Sequence, residues 1–154
     1  MSYGSTPKDG LTWRQQLLAE LGDALDLSRV HFLGKVPYRT FLSVLQLSRV
    51  HVYLTYPFVP SWSMLEAMAA GCLVIGSRTA PVEEVICEGE NGILVDFFRP
   101  GEIAAKVIAA LSEPRAFDAL RMAARRTIVE RYDLKRVCLP RQLQLLEEAR
   151  QRGV

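Results

Sequence analysis

The chain has 154 residues and a mass of 17.3 kDa, with 49% hydrophobic and 23% charged residues. These values are typical of one soluble globular domain and exclude a disordered chain, a collagen-like repeat and a disulfide scaffold. The net charge of +2 is too small to indicate a nucleic-acid partner, and no apolar run approaches the roughly 20 residues of a membrane helix.

The first quarter of the chain contains one helical pattern and one strand pattern. Residues 1–10 are polar and rich in Gly, Ser and Pro, which predicts a flexible lead. They lack the basic and apolar regions of a secretion signal, so we expect a cytoplasmic protein. Apolar residues at helical spacing predict a helix over Trp13–Leu25. The apolar run Val30–Leu33, which ends at Gly34, predicts a short buried strand.

Strand and helix patterns alternate through the rest of the chain. Three more strands are predicted, at Val50–Thr55, Leu73–Ser77 and Ile93–Val95. Helical segments are predicted at Tyr38–Leu47, from Ser61 or Ser63 to Ala70, at Pro81–Cys87, Pro100–Leu111, Pro114–Tyr132 and Leu139–Arg150. This alternation predicts an α/β fold with a doubly wound, mostly parallel sheet. We expect residues 1–154 to form a single partial domain, with its C-terminal helices in residues 114–154.

The C-terminal helices are basic, since residues 113–154 carry 10 basic and 6 acidic side chains, against 9 and 11 in residues 1–112. A basic tail can contact a membrane surface, but we favour a solvated helix face with arginine stems over apolar surface. The three cysteines, Cys72, Cys87 and Cys138, lack metal-ligand spacing and are expected to be small buried side chains. The two histidines, His31 and His51, have no carboxylate partner nearby in sequence and are expected to be partly buried structural residues.

The segment Tyr56–Ser77 carries the most functional information. It runs from a strand end through a loop of proline and small residues into the start of a helix. In a parallel sheet this position lies at the carboxyl edge, where ligands bind. The first-turn backbone N–H groups and the helix dipole favour an anion such as phosphate. The GxGxxG and P-loop fingerprints are both absent from the sequence.

Glu66 has two interpretations. Residues 63–66 fit a capping box, in which the Glu66 carboxylate accepts a hydrogen bond from the backbone N–H of Ser63. Alternatively, the carboxylate accepts hydrogen bonds from the ribose hydroxyls of a nucleotide.

Five segments occur in an order and spacing typical of one enzyme family. They are VHFLG (30–34), LEAMAAG (65–71), LVIGS (73–77), EVI (84–86) and GENGILV (89–95). Together they resemble the nucleotide-sugar-binding C-terminal domain of retaining family 4 glycosyltransferases, which have the two-domain GT-B fold. The resemblance covers roughly residues 28–133.

This resemblance implies a role for each matching position. Glu66 would hold the ribose hydroxyls of the donor, and Glu84 would be structural. Residues after the first predicted strand, Lys35 and Val36, would lie against the nucleotide base. The loop and first helical turn would hold the pyrophosphate and the sugar through Ser61, Trp62, Ser63, Met64 and Leu65. Neither a metal nor a cofactor is implied, and the nucleotide-diphosphate sugar is a substrate.

The sequence also departs from the family. Phe58 stands where the family has a glutamate that contacts the donor sugar, and Trp62 replaces a smaller residue. Neither the N-terminal acceptor domain nor the basic residues that neutralise the leaving diphosphate match any part of this chain. Because a transferred sugar needs that charge stabilisation, we expect the isolated chain to be inactive.

Two other kinds of molecule remain possible at this point. Phe58 and Trp62 could form the contact surface of a non-catalytic α/β binding module, or the chain could be an inactive fragment of a split gene. A truncated sheet would expose an edge strand, which predicts a homodimer.

Overall fold

The computed structural model describes residues 10–56 and 59–153, which form an α/β structure with seven α-helices and three strands. In chain order these are α1 (Trp13–Leu21), α2 (Tyr38–Leu47), β1 (Val50–Tyr53), α3 (Trp62–Ala70), β2 (Leu73–Ser77), α4 (Ala80–Glu83), β3 (Ile93–Val95), α5 (Pro100–Ser112), α6 (Asp118–Arg131) and α7 (Leu139–Gln151). Short 3-10 turns lie at Gly22–Ala24, Leu27–Arg29 and Pro114–Phe117, and a π-helical turn at Leu134–Cys138 precedes α7.

The sheet is parallel, with the strand order β1-β2-β3. Val50 of β1 lies opposite Leu73 of β2, and Ser77 of β2 lies opposite Val95 of β3. A helical crossover joins β1 to β2 through α3 and β2 to β3 through α4, which is the connection that a parallel pair requires. All three strands therefore end at one edge, called here the carboxyl edge, and begin at the opposite amino edge.

Helices cover both faces of the sheet, as the doubly wound prediction requires. Alternate residues of β2 point to opposite faces: Val74 packs in one buried cluster with residues of α2, α3, α4 and α6. Leu73 and Ile75 pack in a second cluster with Ala110 of α5. β2 is the central strand and is buried along its whole length. The buried strand β2 thus lies directly before α4 and directly after the helix α3 of the predicted donor segment.

The chain divides into two compact units, residues 1–36 and 37–154. In the described part of the first unit, the helix predicted to reach Leu25 ends at Leu21, because Gly22 adopts a positive φ of 49° and a 3-10 turn follows. The buried strand predicted at Val30–Leu33 is wrong: this segment is irregular, and Phe32 and Leu33 are 47% and 53% exposed. Residues 10–36 contain no second strand with which it could form a ladder.

The cysteine prediction holds for only one residue. Cys72 is fully buried, and its thiol donates to the Leu45 carbonyl oxygen at 3.0 Å. Cys87 is exposed and Cys138 is half-buried, contrary to the prediction. Cys87 lies in the turn after α4, where its backbone N–H, rather than its side chain, is turned inward and donates to Oδ1 of buried Asn91 at 2.7 Å.

Candidate functional site

The loop between β1 and α3 is called here the donor loop. Its start is fixed to the central strand, β2. The hydroxyl of buried Ser77, at the end of β2, accepts a hydrogen bond from the Thr55 N–H at 2.9 Å and donates to the Thr55 carbonyl oxygen at 2.7 Å. This side chain continues the β1–β2 pairing beyond the last backbone pair, Tyr53 opposite Gly76. The chain therefore leaves β1 at the carboxyl edge in a defined position.

The loop returns to the sheet at the N-terminus of α3. Ser61 is the N-cap residue, and its side-chain oxygen accepts from the Ser63 N–H at 3.3 Å and from the Ser63 hydroxyl at 3.0 Å. The Ser61 N–H donates to the Tyr53 hydroxyl at 2.7 Å. The 3.3 Å cap bond is long, so an anion could compete for the Ser63 N–H at low cost. This end of α3 also carries the positive end of the helix dipole.

Glu66 faces another helix and not the start of its own. The Tyr38 hydroxyl, at the first turn of α2, donates to Glu66 Oε1 at 2.8 Å. The capping-box interpretation is wrong because α3 begins at Trp62, so Glu66 is its fifth residue and lies too far along to reach the cap. No other hydrogen bond to this carboxylate occurs within the described residues. The hydrogen bond that Tyr38 donates to Glu66 raises the pKa of the Tyr38 hydroxyl above its usual range, because the bond stabilises the protonated phenol.

The predicted donor-binding residues of α3 have different environments. Met64 is fully buried, so only its backbone could contact a ligand. Leu65 is half-buried, whereas the Trp62 side chain is 81% exposed. Trp62, Leu65 and Glu66 border one largely apolar cavity of about 380 Å³, whose other walls come from α3, α6, the π-helical turn and α7: Ala69, Ile128, Tyr132, Leu134, Cys138 and Gln142.

The other positions singled out from the sequence lie outside α3. Exposed Lys35 and half-buried Val36 belong to the first unit, whereas α3 belongs to the second. Phe58 lies outside the described residues. Glu84 is exposed at the end of α4, at the opposite end of that helix from the carboxyl edge.

An aromatic cluster, unforeseen from the sequence, joins the carboxyl ends of β1 and β3. The rings of Tyr56 and Phe98 meet edge to face with centroids 5.0 Å apart, and Phe97 contacts both rings. The Phe98 N–H donates to Asp96 Oδ1 at 2.9 Å, so Asp96 caps the turn that carries both phenylalanines. The strand and helix patterns of the sequence could not pair Tyr56 with Phe97 and Phe98, which lie 41 and 42 positions later, because the contact depends on the strand order.

Charged and polar side chains also lie at the carboxyl edge, directly after β2. Arg78, directly after β2, lies 3.7 Å from Glu83 and 3.4 Å from Glu88, so its charge is already partly neutralised. The Thr79 hydroxyl is buried and makes no hydrogen bond within residues 10–56 and 59–153. In the same residues, no group of three or more His, Cys, Asp and Glu is arranged to hold a metal ion.

The histidines differ from one another. His51 of β1 is half-buried, as expected, and burial lowers its pKa, which keeps it neutral at pH 7. His31 is exposed, contrary to expectation, because the segment around it forms no strand.

As for the membrane, no helix in the described part of the chain has both the length and the apolar character to cross one.

Comparison with known proteins places this geometry in context. Residues 11–127 match the model of the family described as glycosyl transferases group 1. An uncharacterized glycosyltransferase of Methanocaldococcus jannaschii is 30% identical over 80 residues, which are 51% of this chain. The matched region is 20% of that relative's length, so the match covers only about one fifth of that protein.

Solved structures have the same fold. Sucrose-phosphate synthase from Thermosynechococcus elongatus superposes with a TM-score of 0.78 and 21% identity, over 98% of this chain and 38% of that one. The Anabaena protein HepE, in complex with UDP-glucose, gives a TM-score of 0.74 with 18% identity, over 90% of this chain and 36% of that one. The α/β architecture is thus the Rossmann-like one of GT-B proteins.

Proposed function

This chain belongs to the glycosyl transferases group 1 family, and from that membership we propose that the N-terminal half of α3 binds a nucleoside diphosphate sugar. The diphosphate lies at the first turn of α3, over the backbone of Ser61–Leu65. The ribose lies one turn further along, where its hydroxyls donate to the Glu66 carboxylate.

The observation that carries this proposal is the placement of Glu66. Its carboxylate lies one helical turn from an exposed helix N-terminus at the carboxyl edge of a parallel sheet, where ligands of open α/β folds bind. Tyr38 donates to only one of its oxygens, Oε1, which leaves the second oxygen able to accept a hydroxyl. HepE, which has this fold, is described in complex with UDP-glucose, and this supports the ligand class.

The remaining parts of the proposal concern the reaction. The domain serves retaining, family 4-type glycosyl transfer in glycan or polysaccharide synthesis, without a metal, and acts with an acceptor domain. The 154-residue chain alone is inactive, because Arg78 is paired with two carboxylates and offers no free cation for a leaving diphosphate. Measurable sugar transfer by the purified chain would contradict this part.

Calorimetric titration with UDP, GDP and ADP tests the donor site. We expect one diphosphate to bind in preference to the others. Replacing the carboxylate in Glu66→Gln should weaken binding about 10- to 100-fold, because a hydrogen bond to a charged group is lost. Glu130→Gln, which removes the same charge from an exposed position on α6, is the matched control and should bind as the unmodified chain does.

Two outcomes contradict the donor site. One is the absence of binding by all three diphosphates, and the other is an equal loss of affinity in the Glu66 and Glu130 variants. A transfer assay that fails in both variants and in the unmodified chain would leave the binding result intact, because binding and catalysis are measured separately.

The exposure of Trp62 supports a second candidate function, a non-catalytic interaction module. An indole exposed over an apolar cavity is typical of a contact surface, since aromatic side chains are enriched in protein interfaces. If this function is correct, none of the three diphosphates binds. Partner binding would then be lost in Trp62→Ala and kept in Glu66→Gln, the reverse of the pattern expected for a donor site.

A further inference from the structure

A polar cavity of about 320 Å³ opens at the amino edge of the sheet, at the opposite end of β1 from the donor loop. One wall is the end of α2 and the residue before β1: Gln46, Leu47, Ser48 and Arg49. The other wall is the turn between α5 and α6 with the start of α6: Pro114, Arg115, Asp118 and Arg121. Both walls belong to the second unit, residues 37–154.

Three arginines line this cavity, and one of them is already fixed in place. Arg121 donates through Nε to the Gly71 carbonyl oxygen at 2.7 Å and through Nη1 to Asp118 Oδ1 at 3.2 Å. Asp118 is the one carboxylate among the lining residues. Since it offsets one of the three positive charges, the cavity carries a formal charge of +2.

The other two arginines have no such partner. Neither Arg49 nor Arg115 makes an ion pair or a side-chain hydrogen bond with any residue that the structure describes, and both are exposed. Converging cations repel one another, and a bound anion would relieve that repulsion. Guanidinium groups match phosphate oxygens in bidentate geometry, and the arginine is the side chain most suited to such recognition.

We infer that the cavity bounded by Arg49, Arg115 and Arg121 binds a phosphate group, at a site separate from the donor loop. A dianionic phosphate matches the formal charge of the cavity, and the side-chain amide of Gln46 supplies a further donor beside it. This site does not depend on the proposed donor function, because it uses none of the residues around Ser61 or Glu66.

The phosphate could belong to a soluble phosphorylated molecule or to a lipid headgroup. Leu47 is 85% exposed at the rim, and Met122, which is 72% exposed, lines a neighbouring cavity with Arg121 and Arg125. Exposed apolar side chains beside arginines can enter the headgroup region of a bilayer. The experiment therefore has one arm for each source.

The first arm is a titration of the full chain with inorganic phosphate. Binding is monitored by NMR, through the signals of the arginine Nε–H groups and of the backbone. We expect shifts at Arg49, Arg115 and Arg121 and in the backbone of residues 47–50. The double variant Arg49→Gln/Arg115→Gln should bind phosphate at least about tenfold more weakly, because two charge-assisted contacts are lost. The control Arg126→Gln/Arg141→Gln loses the same charge from exposed helix positions outside the cavity and should stay within about twofold.

The second arm is sedimentation with phosphatidylglycerol vesicles, with phosphatidylcholine vesicles as the uncharged reference. If the double variant loses phosphate binding and phosphatidylglycerol vesicles are not bound, the result supports a soluble ligand. Loss of phosphatidylglycerol binding in that variant, with further weakening in Leu47→Ser, supports a headgroup. The proposal is overturned if neither probe binds, if shifts occur only at residues 61–66, or if the control variant loses as much affinity as the double variant.

Discussion

The hydrogen bond between Tyr38 and Glu66 joins two helices through side chains that are 28 positions apart in sequence. This contact restrains the Glu66 side chain, and the second carboxylate oxygen remains able to accept. For a ribose-binding carboxylate this is useful, because the orientation is set before the ligand arrives. Tyr38 is therefore a positioning residue for the proposed donor site.

The ionisation of Tyr38 reports on this contact. Its pKa is raised, first by the hydrogen bond to Glu66 and then by desolvation and by the negative charge of that residue. We expect Glu66→Gln to return the Tyr38 pKa toward 10.0, as measured by NMR of the tyrosine ring at alkaline pH. Glu130→Gln is again the control, and an unchanged Tyr38 pKa in Glu66→Gln would contradict the contact.

The sign of the associated stability follows from the raised pKa. The folded state keeps the Tyr38 proton at a pH where the unfolded chain has lost it. The contribution to the free energy of unfolding is therefore complete below the ordinary tyrosine pKa of 10.0 and is lost as the pH rises through the higher folded value. At pH 7 the contact is present in full.

The turn before β3 is packed too closely for a side chain at Gly92. A Cβ atom there would lie 2.8 Å from Cγ2 of Ile86 and 3.2 Å from the carbonyl oxygen of Val74. We expect Gly92→Ala to lower the free energy of unfolding by about 1–3 kcal/mol, the usual cost of overpacking a core. Chemical denaturation followed by circular dichroism measures this change.

Gly101, in the first turn of α5, is the matched control. A Cβ atom at this position would meet nothing within 4 Å. Because alanine is the better helix former, Gly101→Ala should be neutral or should stabilise the chain by up to about 1 kcal/mol. Equal destabilisation by the two substitutions would show that the effect at Gly92 is not steric.

Most elements of the second unit follow from the sequence, because each has its own local signals. Tyr38–Leu47, Leu73–Ser77 and Ile93–Val95 match the predicted bounds, and α3 runs from its serine cap to Gly71, which adopts a positive φ of 86°. The predicted strand at Val30–Leu33 failed because an apolar run becomes a strand only beside a partner. The hydrophobic periodicity of a segment indicates its secondary structure but not which other elements lie beside it in the fold.

The candidate site was less accessible to prediction for the same reason. The sequence placed Glu66 on the helix that follows the donor loop, and the structure agrees. It could not reveal that Tyr38 contacts Glu66, that Tyr53 contacts the Ser61 N–H, or that Tyr56 stacks on Phe98. Each of these contacts depends on which elements are adjacent in space, and no local pattern encodes that.

At the scale of the whole molecule, burial is concentrated in the second unit. In residues 10–36 no residue is fully buried, whereas every residue of β2 is. Amide hydrogen exchange should therefore be at least about a hundredfold faster in α1 than in β2, since protection follows burial and tertiary packing. Comparable protection of α1 and β2 in a mass-spectrometric exchange experiment would contradict this distribution of stability.

Helix α3 is held at both ends by side chains from other elements. At its start the Tyr53 hydroxyl accepts from the Ser61 N–H, and at its end Arg121 and Arg125 of α6 donate to the carbonyl oxygens of Gly71 and Ala69. The helix is about 13.5 Å long, and these contacts restrain both of its ends. The backbone of α3 is therefore ordered before a ligand arrives, which lowers the conformational entropy that binding would cost.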